Sequence, residues 1–379
     1  MWTLECDGEI FKKKRIWLRP GKKYLFGRTP PQKGRNAGFM IDEKSISRKH
    51  LTLSVSAVKP GDGSRVQSRS EVLLKDEETK FGTEVDGERI NSGEKVLRND
   101  EHTFRLGKTS TVFKIKWQPV TLSFSLSSKE LKGGKDPLLA IRNRVEDLDI
   151  KVILPYIIEK TTHVVASKRN TAKGLQALIN AKYIVSNSFV DALVYVTTPG
   201  DLDEPESLSP LEEDFDGSWP DALQHVPPKG HEPNERPTNF FTPNEQRRSV
   251  FEGYTFVFCD QTQFESLQAP ITNGGGKAFQ HELQPGGTTT NELVRYVKNV
   301  AGEKGTGEFE DGSGGEGVVV VKFRNKEFPD WAAELCTQVA LALDQRLIEQ
   351  NEFMDAILTN NASVLRRPLL EEDEEGKRH

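Results

Sequence analysis

Three short stretches near the amino terminus carry side chains that suit a phosphate dianion. They are Tyr24-x-x-Gly27-Arg28, then Ser45-Ile46-Ser47-Arg48-Lys49-His50, then Lys80-Phe81-Gly82-Thr83 with Val85-Asp86-Gly87. A guanidinium fork, a serine hydroxyl, further cations and backbone N–H groups converging from neighbouring loops match the oxygens of a phosphate. Each stretch alone reads as an ordinary turn. In this order, at the ends of short β-type segments, they describe a binding platform and not a reaction chamber. Other chemistry finds little support. The seven histidines are scattered without a second ligand type at metal spacing, so no metal and no cofactor are expected. Gly312-Ser-Gly-Gly-Glu-Gly317 formally satisfies GxGxxG, but a strand-like VVVVKF follows it where a dinucleotide site needs a helix. With no GxxxxGK[ST] loop, GxSxG elbow or HExxH, the chain is expected not to be an enzyme.

The elements that must hold these residues fall into two grammars. Residues 1–117 are rich in short β-type runs (IWLRP, YLFGR, FMI, HLTLSVSAV, EVLLK, TEVDGERI, HTFRLG, TVFKIKW) separated by turn residues, which predicts an all-β sandwich of about 100 residues. Residues 118–198 alternate strands with helices: VTLSFSL, PLLAIRNRVEDL with Leu138, Leu139, Ile141 and Val145 on one stripe, KVIL, THVVAS, AKGLQALINA, YIVSN, and SFVDALVYV capped by Ser188. Residues 199–247 form an acidic, Pro-rich linker or strap, for which Trp219, Phe240 and Phe241 offer anchors. The α/β grammar returns over 248–365, interrupted by a Gly-rich insertion at 302–317 and closing on a strand RLIEQ and a helix NEFMDAIL; a charged tail occupies 366–379. The two α/β stretches share this ending, a weak internal repeat.

Composition bounds the partners. The chain has 379 residues, 35% of them hydrophobic, and a net charge of −5, which argues against membrane-spanning, collagenous or coiled-coil classes. Cys6, Cys259 and Cys336 are far apart, so a disulfide framework is excluded and a reducing compartment is favoured. MWTLECDGEI runs into KKKR with no apolar core, so no secretory signal and a nuclear or cytosolic location are expected, with no membrane partner. The mild total conceals local extremes. Residues 1–50 hold thirteen Lys and Arg against five acids, whereas residues 201–216 hold eight acids and no base. A basic front segment suits an acidic, phosphorylated ligand, and leaves direct DNA binding as the alternative.

The three stretches, taken in order, resemble the forkhead-associated (FHA) domain, a β-sandwich that binds phosphothreonine peptides. Gly27-Arg28 and Ser47-Arg48-Lys49-His50 match its GR and SxxH pieces, while Phe81 and Asp86 stand where the NGTxxNG piece has Asn. The resemblance implies that Arg28, Ser47 and Arg48 hold the phosphate and that Lys80 lies on the loop closing the pocket. It makes Gly27, His50, Gly82 and Thr83 loop supports, and Phe81 puts the gripping of the peptide main chain in question. The two α/β stretches resemble BRCT domains, each with a parallel four-stranded sheet. By that resemblance Ser125, with Ser123 as a competing choice, and Lys173 would grip a phosphoserine, Gly133-Gly134 would be a displaced glycine turn, and Phe189 and Phe353 would stand where the family has Trp.

An FHA domain fused directly to a BRCT pair is similar to the regulatory subunit of the MRN/MRX double-strand-break repair complex. That resemblance implies a phosphopeptide-binding adaptor at chromosomal breaks in the nucleus, which recruits CtIP-type repair proteins and checkpoint mediators and supports checkpoint signalling. In that family the nuclease and ATPase subunits and the ATM-type kinase are engaged through carboxy-terminal motifs, which this chain is expected to lack.

Overall fold

The computed structural model describes residues 1–29, 37–133, 135–204, 207–302 and 317–369. The Gly-rich stretch 303–316 with most of its GxGxxG, Gly134 and the tail 370–379 lie outside the described residues. Two compact units result: Met1–Val165 with Asn187–His225, and Ala166–Ser186 with Val226–His379.

The first unit begins with eleven strands: β1 (Trp2–Cys6), β2 (Ile16–Leu18), β3 (Lys23–Gly27), β4 (Ala37–Met40), β5 (Leu51–Val55), β6 (Val72–Asp76), β7 (Thr83–Val85), β8 (Glu88–Ile90), β9 (Glu94–Leu97), β10 (Glu101–Leu106) and β11 (Phe113–Trp117). They form a six-stranded sheet in the order β2-β1-β11-β10-β7-β8 and a five-stranded sheet in the order β4-β3-β5-β6-β9. All pairings are antiparallel except that of β3 with β4. Alternation does the sorting: along β10 (EHTFRL) residues are exposed and buried in strict turn, placing His102, Phe104 and Leu106 inside. Phe26, Phe104 and Phe113 meet edge-on or stacked at 4.7–5.6 Å and form the aromatic centre of the sandwich core. The β7–β8 hairpin turns on Asp86 and Gly87, both at positive φ (53° and 82°), which favours the Asp-Gly pair found there.

The same unit continues into β12 (Thr121–Ser125), β13 (Lys151–Ile153) and β14 (His163–Ala166). β12 and β13 pair in parallel, Leu122 opposite Val152, and β14 lies on the other side of β12. The helix expected over PLLAIRNRVEDL is shorter, Leu139–Val145 followed by a 3-10 turn Glu146–Leu148. Leu138 and Val145 are buried but Leu139 faces solvent, 53% exposed, because it sits on the outer side of this short helix. The last helix of this stretch, Asn187–Thr197, starts at Asn187, so Ser188 lies in its first turn and not outside it as a cap. The Ser188 hydroxyl instead meets Nδ1 of His225 at 2.8 Å.

Sandwich and α/β stretch are joined by a buried polar knot. The Met1 amino group donates to Gln118 O at 2.7 Å and is itself fully buried. Asp149 accepts from Lys151 Nζ (2.9 Å) and from the amide and hydroxyl of Ser70 (2.8 and 2.6 Å). Burial alone would raise the Asp149 carboxyl, but the amino terminus, Lys151 and Ser70 hold it below its ordinary value.

The strap also belongs to this unit as far as His225. Short helices Pro210–Glu213 and Phe215–Ser218 bury Leu211 and Phe215. Glu212, its side chain almost wholly enclosed, takes Lys22 at 2.8 Å and Arg19 at 3.1 Å, Lys14 pairs with Asp214 at 2.8 Å, and Arg15 pairs with Asp216. Four of the thirteen amino-terminal cations are therefore neutralised by the acidic run. This narrows the basic surface expected from composition, because charges distant in sequence are adjacent in the fold.

The second unit holds helix Ala172–Ile179, β15 (Tyr183–Val185), β16 (Tyr254–Phe258), β17 (Lys277–Gln280) and β18 (Gly317–Val320). β16 is central, parallel to β17 and to β18. Helix Thr290–Ala301 forms where TTNELVRYVKNV left helix or loop open, because Thr289 and Glu292 make a reciprocal capping box. RLIEQ does not become a strand. Ile348 makes a single parallel bridge with Val321, while Gln345 bridges Pro368 and Arg346 turns to Glu352, so the flanking residues are engaged elsewhere. The sheet of β16, β17 and β18 thus has three strands plus that bridge in place of the expected four.

Phe353 is fully buried among Phe251, Phe256 and Phe258 at 4.9–6.3 Å. In the first unit Phe189 stacks on His163 at 4.7 Å, with Trp219 and His225 of the strap at 6.4 and 5.7 Å. Each phenyl ring thereby packs among aromatic neighbours. Among the described residues no helix is long and apolar enough to cross a membrane, and no cluster of three His, Cys, Asp or Glu is placed to hold a metal ion.

Candidate phosphate-binding loops of the sandwich

β3 delivers Gly27 and Arg28 to one end of the sandwich, where the loop Ser45–Lys49 crosses over them. Arg28 N donates to Ser47 O at 3.0 Å, His50 N donates to Phe26 O at 2.8 Å, and Thr29 Oγ1 donates to Arg48 O at 3.0 Å. Ser47 and Arg48 are thus tied beside Arg28 through the backbone. Position 27 has no room for a side chain: a Cβ there would lie 2.1 Å from the carbonyl oxygen of Arg48. A Gly27→Ala protein is expected to push the loop away from Arg28 at a cost of about 1–3 kcal/mol. Thermal unfolding would register that cost, and a parallel titration should show at least tenfold weaker phosphothreonine-peptide binding; unchanged binding would contradict the packing argument.

His50 fixes the same loop from within. It is fully buried, its Nδ1 accepts from Ser47 N at 3.1 Å, and its Nε2 faces Gly82 O at 3.1 Å. Acceptance at Nδ1 assigns the proton to Nε2, which donates to Gly82. Burial pushes the imidazole below its ordinary value, so it stays neutral and keeps Nδ1 free to accept. The Lys80–Thr83 loop rests on Asp76, an acceptor absent from the sequence motif. Asp76 Oδ2 receives Thr79 Oγ1 and Thr83 Oγ1, both at 2.8 Å; Oδ1 receives Thr79 N at 2.9 Å, and Thr79 Oγ1 accepts from Gly82 N at 3.0 Å. Burial would raise the Asp76 carboxyl, but these donors hold it below its usual range. Gly82 itself has φ +67°, a left-handed conformation that suits glycine.

The departures from the family motif acquire reasons here. Asp86 accepts from His102 Nδ1 at 2.6 Å and Thr103 N at 2.9 Å, and His102 Nε2 accepts from Asn99 N at 2.9 Å, so a carboxylate suits position 86 as a partner of a buried imidazole N–H. Phe81 is half-buried, with Lys80 Nζ 5.5 Å and Lys108 Nζ 4.6 Å from its ring centroid. Arg28, Arg48 and Lys80 are exposed and make no ion pair with a described residue, Ser47 is half-buried, and Gly27, Gly82, Thr83 and His50 are buried beneath them.

In the α/β stretches, Ser123 is fully buried and its hydroxyl is engaged by Thr161 Oγ1 (2.7 Å) and Pro155 O (3.0 Å). Ser125, half-buried at the end of β12, is the hydroxyl left nearer solvent. Lys173 occupies the first turn of helix Ala172–Ile179, capped by Thr171, and burial lowers its ammonium below the usual lysine value. The two residues belong to different compact units, so their joint role rests on sequence resemblance. Gly133 is exposed with open space around it.

Residues 24–107 match the family described as "FHA domain", and residues 245–368 match "Second BRCT domain on Nijmegen syndrome breakage protein". Over these two stretches the chain is similar to FHA domains and to the second BRCT domain of that protein. It resembles chicken nibrin, 27% identical over 285 residues, covering 73% of this chain and 33% of that protein. It also resembles the Schizosaccharomyces pombe protein named "DNA repair and telomere maintenance protein nbs1", 24% identical over 215 residues, 55% of this chain and 32% of that one. The chain spans about a third of the length of the curated relatives it matches. Among solved structures, the S. pombe Nbs1 FHA-BRCT1-BRCT2 domains share the fold with TM-score 0.53 at 21% identity, covering 75% of this chain and 83% of that one. The S. pombe Nbs1-Ctp1 complex gives TM-score 0.51 at 18% identity, covering 79% and 87%. The architecture is an FHA domain followed by tandem BRCT domains.

Proposed function

We propose that the protein is a phosphopeptide-binding adaptor of DNA double-strand-break repair, reading phosphothreonine with Arg28, Ser47, Arg48 and Lys80. One observation carries the reading. Exposed cations that make no ion pair with a described residue sit on loops locked from beneath by His50 and Asp76, an arrangement preorganised for an anion, which reduces the ordering cost of binding. The domain limits 1–117, 118–198, 199–247 and 248–365 belong to this proposal, as does a phosphoserine role for Ser125 and Lys173. The partners we assign are phosphorylated acidic repair proteins of the CtIP type, by analogy with a relative solved in complex with Ctp1, together with checkpoint mediators. A nuclear location at chromosomal breaks, a non-enzymatic role, and engagement of the nuclease and ATPase subunits and an ATM-type kinase outside this chain complete it.

Direct DNA binding through the basic front is less well supported, because Lys14, Arg15, Arg19 and Lys22 are occupied by the strap. Fluorescence anisotropy with an acidic phosphothreonine peptide, its unphosphorylated form and a DNA duplex separates the readings. The proposal expects binding that depends on the phosphate. Equal affinity for both peptides, with steeply salt-dependent duplex binding, would replace it by the DNA reading.

A further inference from the structure

Resting on that reading, we propose that Thr29 is a phosphorylation site for a proline-directed protein kinase, and that a phosphate there closes the phosphothreonine pocket. Four Ser-Pro or Thr-Pro pairs occur in the chain, at Thr29, Thr198, Ser209 and Thr242, and a following proline is the feature such kinases select. Ser209 is fully buried with its hydroxyl on Glu212, and is out of reach. Thr198 bonds back to Val194 O at the end of its own helix, and Thr242 belongs to the second compact unit. Thr29 is exposed, and its hydroxyl touches a loop of the pocket.

That placement follows from the strand that delivers Arg28. β3 ends at Gly27, and the chain then runs beside the recognition loop through two bonds, Arg28 N to Ser47 O and Thr29 Oγ1 to Arg48 O, both 3.0 Å. The Thr29 oxygen therefore lies against the backbone of Arg48 and one position along the chain from Arg28, two of the residues assigned to the phosphate. In the transfer this oxygen bonds to the γ-phosphorus of ATP while the bond from that phosphorus to the β–γ bridging oxygen breaks. ADP leaves with that electron pair, and the hydroxyl proton passes to the kinase's base. The product carries a charge of about −1.5 to −2 at neutral pH. It no longer donates to Arg48 O, so a carbonyl oxygen that had been its acceptor becomes a repulsive neighbour. It also supplies, from within the chain, the group that Arg28 and Arg48 would hold in a ligand, and a tethered group competes at high effective concentration. An incoming phosphothreonine meets like charge beside its own site. All three effects lower peptide affinity, and His50 and Asp76 continue to hold the loops from beneath.

The full 379-residue chain and its Thr29→Val variant would be treated with a proline-directed kinase and Mg-ATP, mapped by tandem mass spectrometry and freed of kinase and nucleotide. Each would then be titrated with a phosphothreonine peptide that has no Ser-Pro or Thr-Pro pair, and with its unphosphorylated form. Valine keeps the branched shape without the hydroxyl, which separates loss of the hydrogen bond from gain of the phosphate. Treated wild type is expected to carry phosphate at Thr29 and to bind at least about tenfold more weakly than untreated protein, with phosphatase treatment before titration restoring it. Thr29→Val should bind within about threefold of untreated wild type, with or without kinase treatment. An unmodified Thr29, or a phosphorylated one that leaves affinity unchanged, would overturn the switch and leave the pocket standing. Equal weakening of Thr29→Val would do the same, by assigning the effect to the lost bond if untreated or to another site if treated. Untreated wild type that does not distinguish the two peptides would sink pocket and switch together.

Discussion

An Arg28→Ala protein is expected to fold and to lose phosphothreonine-peptide binding by a factor of roughly thirty to several thousand, the equivalent of about 2–5 kcal/mol for removing one partner of a desolvated charge pair. The fold should survive, because the Arg28 side chain is exposed and only its backbone holds the recognition loop, through Arg28 N to Ser47 O at 3.0 Å. Lysine should rescue part of the loss as a point charge without the bidentate fork. Calorimetric titration against the three proteins measures this directly. An alanine variant that binds as tightly as wild type would remove Arg28 from the site.

The largest effect on stability is expected at Asp149, far from the pocket. Asp149→Asn keeps a residue that tolerates the observed left-handed φ of 63° but removes the charge that faces Lys151 and the Met1 amino group, both buried. Breaking a buried pair while leaving the cation costs about 3–5 kcal/mol. Unfolding of the first unit should then fall by roughly 6–20 °C. The pH dependence has a definite direction. The folded carboxyl lies below its unfolded value of about 4, so its contribution is fully present above that pH and is lost as acidification passes through the folded value. The gap between wild type and Asp149→Asn should accordingly shrink as the pH falls below about 4. Equal melting of the two proteins at pH 7 would show that the knot contributes nothing.

How much of this could be read from the chain depended on the range of the interactions. Gly27-Arg28 and Ser47 to His50 are legible because the same residues that touch ligand also make the local turn, so motif and mechanism coincide. Most strands were legible through period-two alternation. β1 and β9 were not: their strand character comes from pairing, Trp2 opposite Trp117 and Val72 opposite Leu97, across intervals no local pattern spans. Asp149 was invisible for the same reason, since its partner Ser70 lies far off in the chain, whereas Asp76, whose partners Thr79 and Thr83 are close in sequence, was missed because it lies outside the three motif stretches. RLIEQ shows the converse failure: only Leu347 and Ile348 in it are apolar, Ile348 makes a single bridge, and its first residue Arg346 and the preceding Gln345 are bound elsewhere. Composition misled once: the acidic strap and the basic front read as separate features, whereas Glu212, Asp214 and Asp216 are the counter-ions of Lys14, Arg15, Arg19 and Lys22.

The central claim, that an anion is read by loops at one end of the sandwich, is tested most directly by backbone amide NMR of the labelled chain during titration with an acidic phosphothreonine peptide. Saturable shifts at Arg28, Ser47, Arg48 and Gly82, absent with the unphosphorylated peptide, are the predicted result. Shifts confined to other surfaces, or the same shifts with both peptides, would contradict it.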